Sequence, residues 1–327
     1  MLGLRNLSFI SNDDALLAIQ RYRLEEGKAA GTQMIRVSNI AGLELHLAVD
    51  RALDIAEFRY KGLSIGYLSG TGITHPSYYE PEGYGWLRSF YGGFLTTCGL
   101  DQTGEPCKVD GVNYGLHGRI SNCPAQQICT EVVRENVGLS GMVRGAVRQA
   151  CQQGESYLLR RTYHFKDESA SFLITDEIQN QSGRALPLQV LYHFNFGFPF
   201  LSPTTILKFP EVNSIGWDEY SQKNIDKLTD FSDSDELTIL HYLNSNTDHV
   251  GVVIENHGVR VEIKYDSKNL PVLGQWKHLQ PREYVMAIEP TNGHLNGLAW
   301  EKSNSTLQIL NPNETRTFSF EISVFDN

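Results

Sequence analysis

The most constraining feature of this chain is a period-two alternation of apolar and polar residues that recurs from one end to the other. Leu43, Leu45, Leu47 and Val49 alternate with Glu44, His46 and Ala48, and Phe172, Ile174 and Ile178 lie opposite Thr175 and Glu177. Val259, Val261, Ile263 and Tyr265 alternate with Arg260, Glu262 and Lys264, as do Phe318, Phe320, Ile322 and Val324 with Ser319, Glu321 and Ser323. Successive side chains of an extended backbone point to opposite faces, so each stretch reads as a strand with one buried and one wet face, the pattern of antiparallel sheets. Further strands are expected at 157–165, 187–194, 250–255, 284–289 and 306–310, separated by Gly, Asn, Pro or Asp. Only the stretch after Ser11, Asn12 and Asp13 combines an N-cap candidate with helix formers, and it reads equally as a strand. So many short strands imply an all-β chain, a large antiparallel β-sandwich.

No linker, low-complexity run or fixed-period repeat divides the 327 residues, so one domain over 1–327 is expected. With 28 Lys and Arg against 38 Asp and Glu, the net charge of -10 repels phosphate backbones and anionic membranes. Neither nucleic acid nor membrane is an expected partner, and whether the chain forms a homo-oligomer is not legible. The five cysteines, at 98, 107, 123, 129 and 151, form neither a C-x-x-C pair nor a zinc-type spacing. They read as free thiols in a reducing compartment. Without a secretory h-region or membrane span, the expected location is the cytoplasm.

Two stretches break the alternation. Residues 66–124 are rich in Gly, Tyr, Trp and Thr, and 197–238 are irregular and acidic. Long loops of this kind are usually functional, and the first, with Trp86, Tyr91, Gly92, Gly93 and the run from Cys98 to Pro124, is expected to wall a ligand site. Three further segments put a titratable group beside a turn or strand end: Leu116-His117-Gly118-Arg119, Tyr192-His193-Phe194-Asn195-Phe196-Gly197 and Ile288-Glu289-Pro290-Thr291-Asn292.

These segments, with Gly99-Leu100-Asp101 ahead of the first and Trp276 ahead of Glu289-Pro290, resemble the aldose 1-epimerase (galactose mutarotase-like) family, and more closely a divergent, domain-of-unknown-function branch of it. The resemblance covers most of the chain and implies the galactose mutarotase-like supersandwich. It also implies a free sugar as the small-molecule substrate, no cofactor, and roles for particular residues: His117 binds sugar, His193 donates a proton and Glu289 accepts one. Opening a cyclic hemiacetal takes a proton from the anomeric hydroxyl and gives one to the ring oxygen, so a base and an acid are expected to confront each other across the ring.

An early arginine also binds substrate in that family. Arg51, after the strand at 43–49, can fork to sugar hydroxyls or pair with Asp54. Trp276 offers either a stacking face for a sugar or a core indole. Asp101, Asn195, Arg119 and Asn292 are further candidates for hydroxyl binding. The family's additional acidic residue has no fixed counterpart, with Asp218, Asp230, Asp233 and Asp235 all available. A phosphorylated sugar would need Arg88, Arg119, Arg160 and Arg161 to converge, and a metal would need a cluster such as His241, His249 and His257, whose even spacing reads as surface strand positions instead. The rival readings are a carbohydrate-binding protein without turnover, and an epimerase, isomerase or lyase acting at another sugar carbon.

Overall fold

A computed structural model describes residues 7–210, 212–225, 237–243 and 250–326. Among these residues the strands form an eight-stranded, a six-stranded and a five-stranded antiparallel sheet, with three two-stranded pairs. The eight-stranded sheet runs Ala125–Arg134, Leu139–Ala150, Ser156–Lys166, Phe172–Asn180, Thr315–Asp326, Val259–Tyr265, Val250–Asn256 and Ile206–Lys208. Its register follows from the alternation. Phe172, Ile322, Ile263 and Val252 stand in one cross-strand row, and Ile174, Phe320, Tyr265 and Val250 in the next. A slip of one residue would turn every one of these side chains to water.

The six-stranded sheet carries the chemistry, and its strands are numbered here in chain order: β1 (Leu95–Leu100), β2 (Gln189–Gly197), β3 (Val212–Gly216), β4 (Leu237–Leu243), β5 (Val272–Gln280) and β6 (Glu283–Thr291). Their spatial order is β3-β4-β5-β6-β2-β1. One face of this sheet packs on the eight-stranded sheet, with Tyr192 and Phe194 of β2 against the ring of Phe320 at centroid distances of 4.4 and 5.3 Å. The five-stranded sheet, Leu17 to Ser64, joins the same core through Phe58, whose ring meets Phe94 and Phe172 edge-on.

The three sheets are also tied by one fully buried polar network. Arg161 forks onto Asp176 at 2.8 and 2.6 Å and reaches Asp54 at 2.5 Å and the Thr97 hydroxyl at 2.7 Å. Tyr192 donates to Asp176 at 2.9 Å, and the Thr97 amide and hydroxyl both donate to Asp54. Asp54 therefore pairs with Arg161, and Arg51 pairs with neither carboxylate. Burial pushes the Asp54 carboxyl up against the pull of Arg161, as expected for a charge taken out of water.

Several boundaries depart from the sequence reading. After a 3-10 turn at Asp13–Ala15, the ambiguous N-terminal stretch becomes a strand, Leu17–Arg23. The strand expected at 306–310 shrinks to Ile309–Leu310, because a short helix, Leu298–Ser303, precedes it and the Thr306 hydroxyl is drawn back to the Glu301 carboxylate. The irregular stretch 66–124 hides β1, all of whose residues are buried, so no alternation marks it. No helix among the described residues is long and apolar enough to cross a membrane.

Candidate active site

On the face of the six-stranded sheet away from the main core, a second apolar cluster gathers Trp86, Phe90, Cys98, Leu116, Leu191, Leu240, Val272 and Leu295. Strand β2 thus has apolar material on both sides, with Val190, Tyr192, Phe194 and Phe196 toward the core and Leu191, His193 and Asn195 toward the second face. The register pairing Leu191 with Thr291 and Phe194 with Ile288 sets His193 directly opposite Glu289 on β6. Their side chains meet with His193 Nε2 3.2 Å from Glu289 Oε1. On the far side of Glu289, the cross-strand partner is Gly274 of β5. A Cβ there would stand 2.9 Å from Glu289 Oε2 and 3.1 Å from its Cβ, so glycine is what leaves room for the carboxyl.

These groups form the floor of a cavity of about 270 Å³ that opens to solvent. Trp276, two residues beyond Gly274 on the same face, is half-buried in its wall with its ring 5.7 Å from His193. The stretch 66–124 supplies the opposite wall. Trp86 stacks on Phe90 at 4.5 Å, meets His117 edge-on at 4.8 Å and is fixed by a hydrogen bond from its indole to the Ser121 hydroxyl. His117 adopts a left-handed backbone, φ 56°, held because its amide donates to Gly104 and its carbonyl accepts from Gly99. Its Nδ1 accepts from the Gly104 amide at 3.3 Å, which leaves the ring proton on Nε2.

The electrostatics follow from desolvation. Burial pushes the Glu289 carboxyl up to about 8. Burial, reinforced by the neighbouring His117, pushes the His193 imidazole down to about 3, against the opposing pull of the Asn195 side chain. His117 falls to about 4 by burial alone. Burial disfavours the charged form of each group, so at neutral pH the pair holds a single proton between carboxyl and imidazole, and His117 is a neutral donor.

His193, Glu289, His117 and Trp276 line one cavity, the first two lying side by side rather than across a ring's width. The other five candidates do not line the cavity. Arg51 is buried, its guanidinium donating to the carbonyls of Ser121 and Thr74 and lying over the Tyr91 ring. Asn195 donates to the carbonyls of Gly92 and His193 and so braces β2 from within. Asp101 is buried beyond the cavity beside Gln149, where burial raises it to about 6, and Arg119 extends into solvent. Asn292 is a clamp on the backbone of Leu188 and Val190.

Of the acidic candidates, Asp218 stands at the cavity mouth, and Asp230, Asp233 and Asp235 lie outside the described residues. The arginines do not converge: Arg161 is in the core network, Arg88 pairs with Glu80 at 3.4 Å, and Arg160 reaches Gln179. Among the described residues no group of three or more His, Cys, Asp or Glu is placed to hold a metal. His241 is buried between Ser214 and Gln275, His257 bonds the Pro199 carbonyl, and His249 lies outside the described residues. The sequence reading missed Glu105, Trp217 and Thr238, which line the cavity without a motif to mark them.

A family model described as Domain of unknown function (DUF4432) matches residues 29–324. Among curated proteins none matches the sequence. Among solved structures, a Klebsiella pneumoniae subsp. pneumoniae protein named "putative aldose 1-epimerase" is 23% identical with a TM-score of 0.89, over 95% of this chain and 84% of that one. A galactose mutarotase-like protein from Clostridium acetobutylicum is 17% identical with a TM-score of 0.68, over 95% and 99% of the two chains. Galactose 1-epimerase from Lactobacillus acidophilus is 13% identical with a TM-score of 0.63, over 95% and 99%. At these identities the likeness establishes the fold, the galactose mutarotase-like sandwich.

Proposed function

The chain belongs to the DUF4432 family, and on that premise, together with its fold and its pocket, we propose that it is a sugar 1-epimerase interconverting the α and β anomers of a free sugar. The observation that carries the proposal is the His193–Glu289 pair, 3.2 Å apart on the floor of an aromatic cavity. The anomeric oxygen and the ring oxygen are bonded to the same carbon. An acid and a base on adjacent strands of one sheet face therefore reach both, and they need not sit on opposite sides of the ring.

In this mechanism the shared proton passes from Glu289 to His193 Nε2 along their hydrogen bond as substrate enters. The carboxylate takes the anomeric proton, His193 Nε2 gives its proton to the ring oxygen, and the bond from C1 to that oxygen breaks as the C1 carbonyl forms. Rotation about C1–C2 and reclosure with the protons returned inverts the anomer. His117, neutral and with its proton on Nε2, donates to a sugar oxygen, and Trp276 offers its face to the apolar side of the ring. The proposal is tested by adding protein to freshly dissolved pure anomers of a panel of aldoses and ketoses and following equilibration by polarimetry. Acceleration above the buffer rate is expected for at least one sugar, and none across the panel would refute it.

The pH dependence separates this buried pair from an exposed one. Catalysis needs one proton on the pair, a state that spans about 3 to about 8 here. Unperturbed groups would confine it between about 4.3 and 6.5. Blank-corrected kcat/KM is therefore expected to stay level through neutral pH and to fall as pH rises through about 8. A decline centred near 6.5 would show that the pair is not desolvated as described. Gly274→Val gives a second test, since the added side chain displaces Glu289 while leaving its chemistry intact. A misplacement of about 1 Å can cost about 10²-fold, so kcat is expected to drop on that order in a variant with unchanged circular dichroism.

A further inference from the structure

The cavity has a mouth as distinctive as its floor. Three large apolar side chains there are left open to solvent although they line the cavity: Tyr84 is 58% exposed, Leu87 50% and Trp217 39%. They come from separate segments, the turn around Gly85–Ser89 and the residue just after β3. Exposed apolar groups gathered at one opening, rather than scattered, mark a binding surface. Between them stand carboxylates: Glu105, which accepts from the Tyr84 hydroxyl at 2.6 Å, and Asp218, held below the usual carboxylate range by the Ser221 amide. Among the described residues lining the cavity there is no Lys or Arg.

Resting on the anomerase reading, we infer that the pocket takes the reducing-end unit of an uncharged disaccharide or longer saccharide, with the next sugar ring lying against Trp217 and Tyr84 at the mouth. A pyranose presents an apolar face of C–H groups ringed by hydroxyl donors, and the mouth offers the complement, aromatic faces beside carboxylate acceptors. An alkyl substituent would make no use of the second carboxylate oxygens of Glu105 and Asp218, which the Tyr84 and Ser221 bonds leave as acceptors. A phosphate or carboxylate would approach them with no cation to offset the repulsion. The floor reads the anomeric centre, and the mouth selects what is attached to the far side of the ring.

The test compares kcat/KM for anomerisation of maltose, cellobiose and lactose with that of glucose, and includes glucose 6-phosphate. At least one disaccharide is expected to exceed glucose about tenfold, the scale of one good aromatic stack, and the phosphorylated sugar to fall below glucose. Trp217→Ala is expected to bring the ratio of disaccharide to glucose close to unity, and Trp217→Phe, which keeps an aromatic face and guards against simple misfolding, to restore most of it. Glucose turnover with no disaccharide advantage overturns this inference alone, as does a Trp217→Ala variant that lowers both rates by one factor, or a sugar phosphate processed as fast as glucose. No acceleration of any sugar would remove the anomerase reading itself.

Discussion

Glu289→Gln is expected to lower kcat for anomer interconversion by about 10²–10⁴-fold, the usual worth of one positioned proton transfer. The substitution keeps the shape of the side chain and the packing beside Gly274, so the cavity should persist, but the amide cannot hold or pass the proton shared with His193. His193→Gln should fall into the same range. The double variant should be little slower than the slower single one, because the two groups handle one proton and act as a unit. Rates measured by NMR exchange at saturating sugar, with circular dichroism confirming the fold, decide this. A loss under threefold in Glu289→Gln would assign the acid–base work elsewhere, and multiplicative losses in the double variant would show two independent contributors.

Arg161→Met is expected to destabilise the protein by about 3–5 kcal/mol, the typical cost of breaking a buried ion pair from one side. The guanidinium is fully buried and makes bonds to Asp54, Asp176 and Thr97, so its removal strands two carboxylates in a core that water does not reach. The effect reaches the site because Tyr192, which donates to Asp176, precedes His193 on β2. Replacing Arg161, Asp54 and Asp176 together by apolar residues of similar volume should recover much of the loss, since an apolar core tolerates the absence of the whole network better than half of it. Urea unfolding midpoints measure both outcomes. A shift under about 1 kcal/mol in Arg161→Met would mean that the network contributes no more than an exposed pair.

What the sequence disclosed and what it hid divide along physical lines. Strands with one wet face, such as Val259–Tyr265 and Thr315–Asp326, announced themselves through alternation. Strand β1 did not, because both of its faces are buried, one under the core and one under the aromatic wall, whereas β2, buried on both faces as well, was marked at 187–194 by the turn residues around it rather than by alternation. His193 and Glu289 were legible as types beside turn residues, but their meeting is a matter of register between strands far apart in sequence.

Arg51, Asp101 and Arg119 lie outside the cavity, which the sequence could not disclose because a charged residue near a strand end carries no label saying which way it points. Burial and bonds to backbone carbonyls show Arg51 to be a structural tie. Gly274 would have been recognisable only with Glu289 already placed next to it. Trp217 and Glu105 belong to the mouth through the folded path of the chain alone.

The most direct measurement is two-dimensional NMR exchange between the α and β C1–H signals of a reducing sugar, recorded with wild-type protein and with the Glu289→Gln/His193→Gln variant. Exchange cross-peaks that grow with wild-type concentration and vanish to the buffer level with the variant are the expected result. Cross-peaks of equal strength with both proteins would contradict the assignment of this pair as the acid and base.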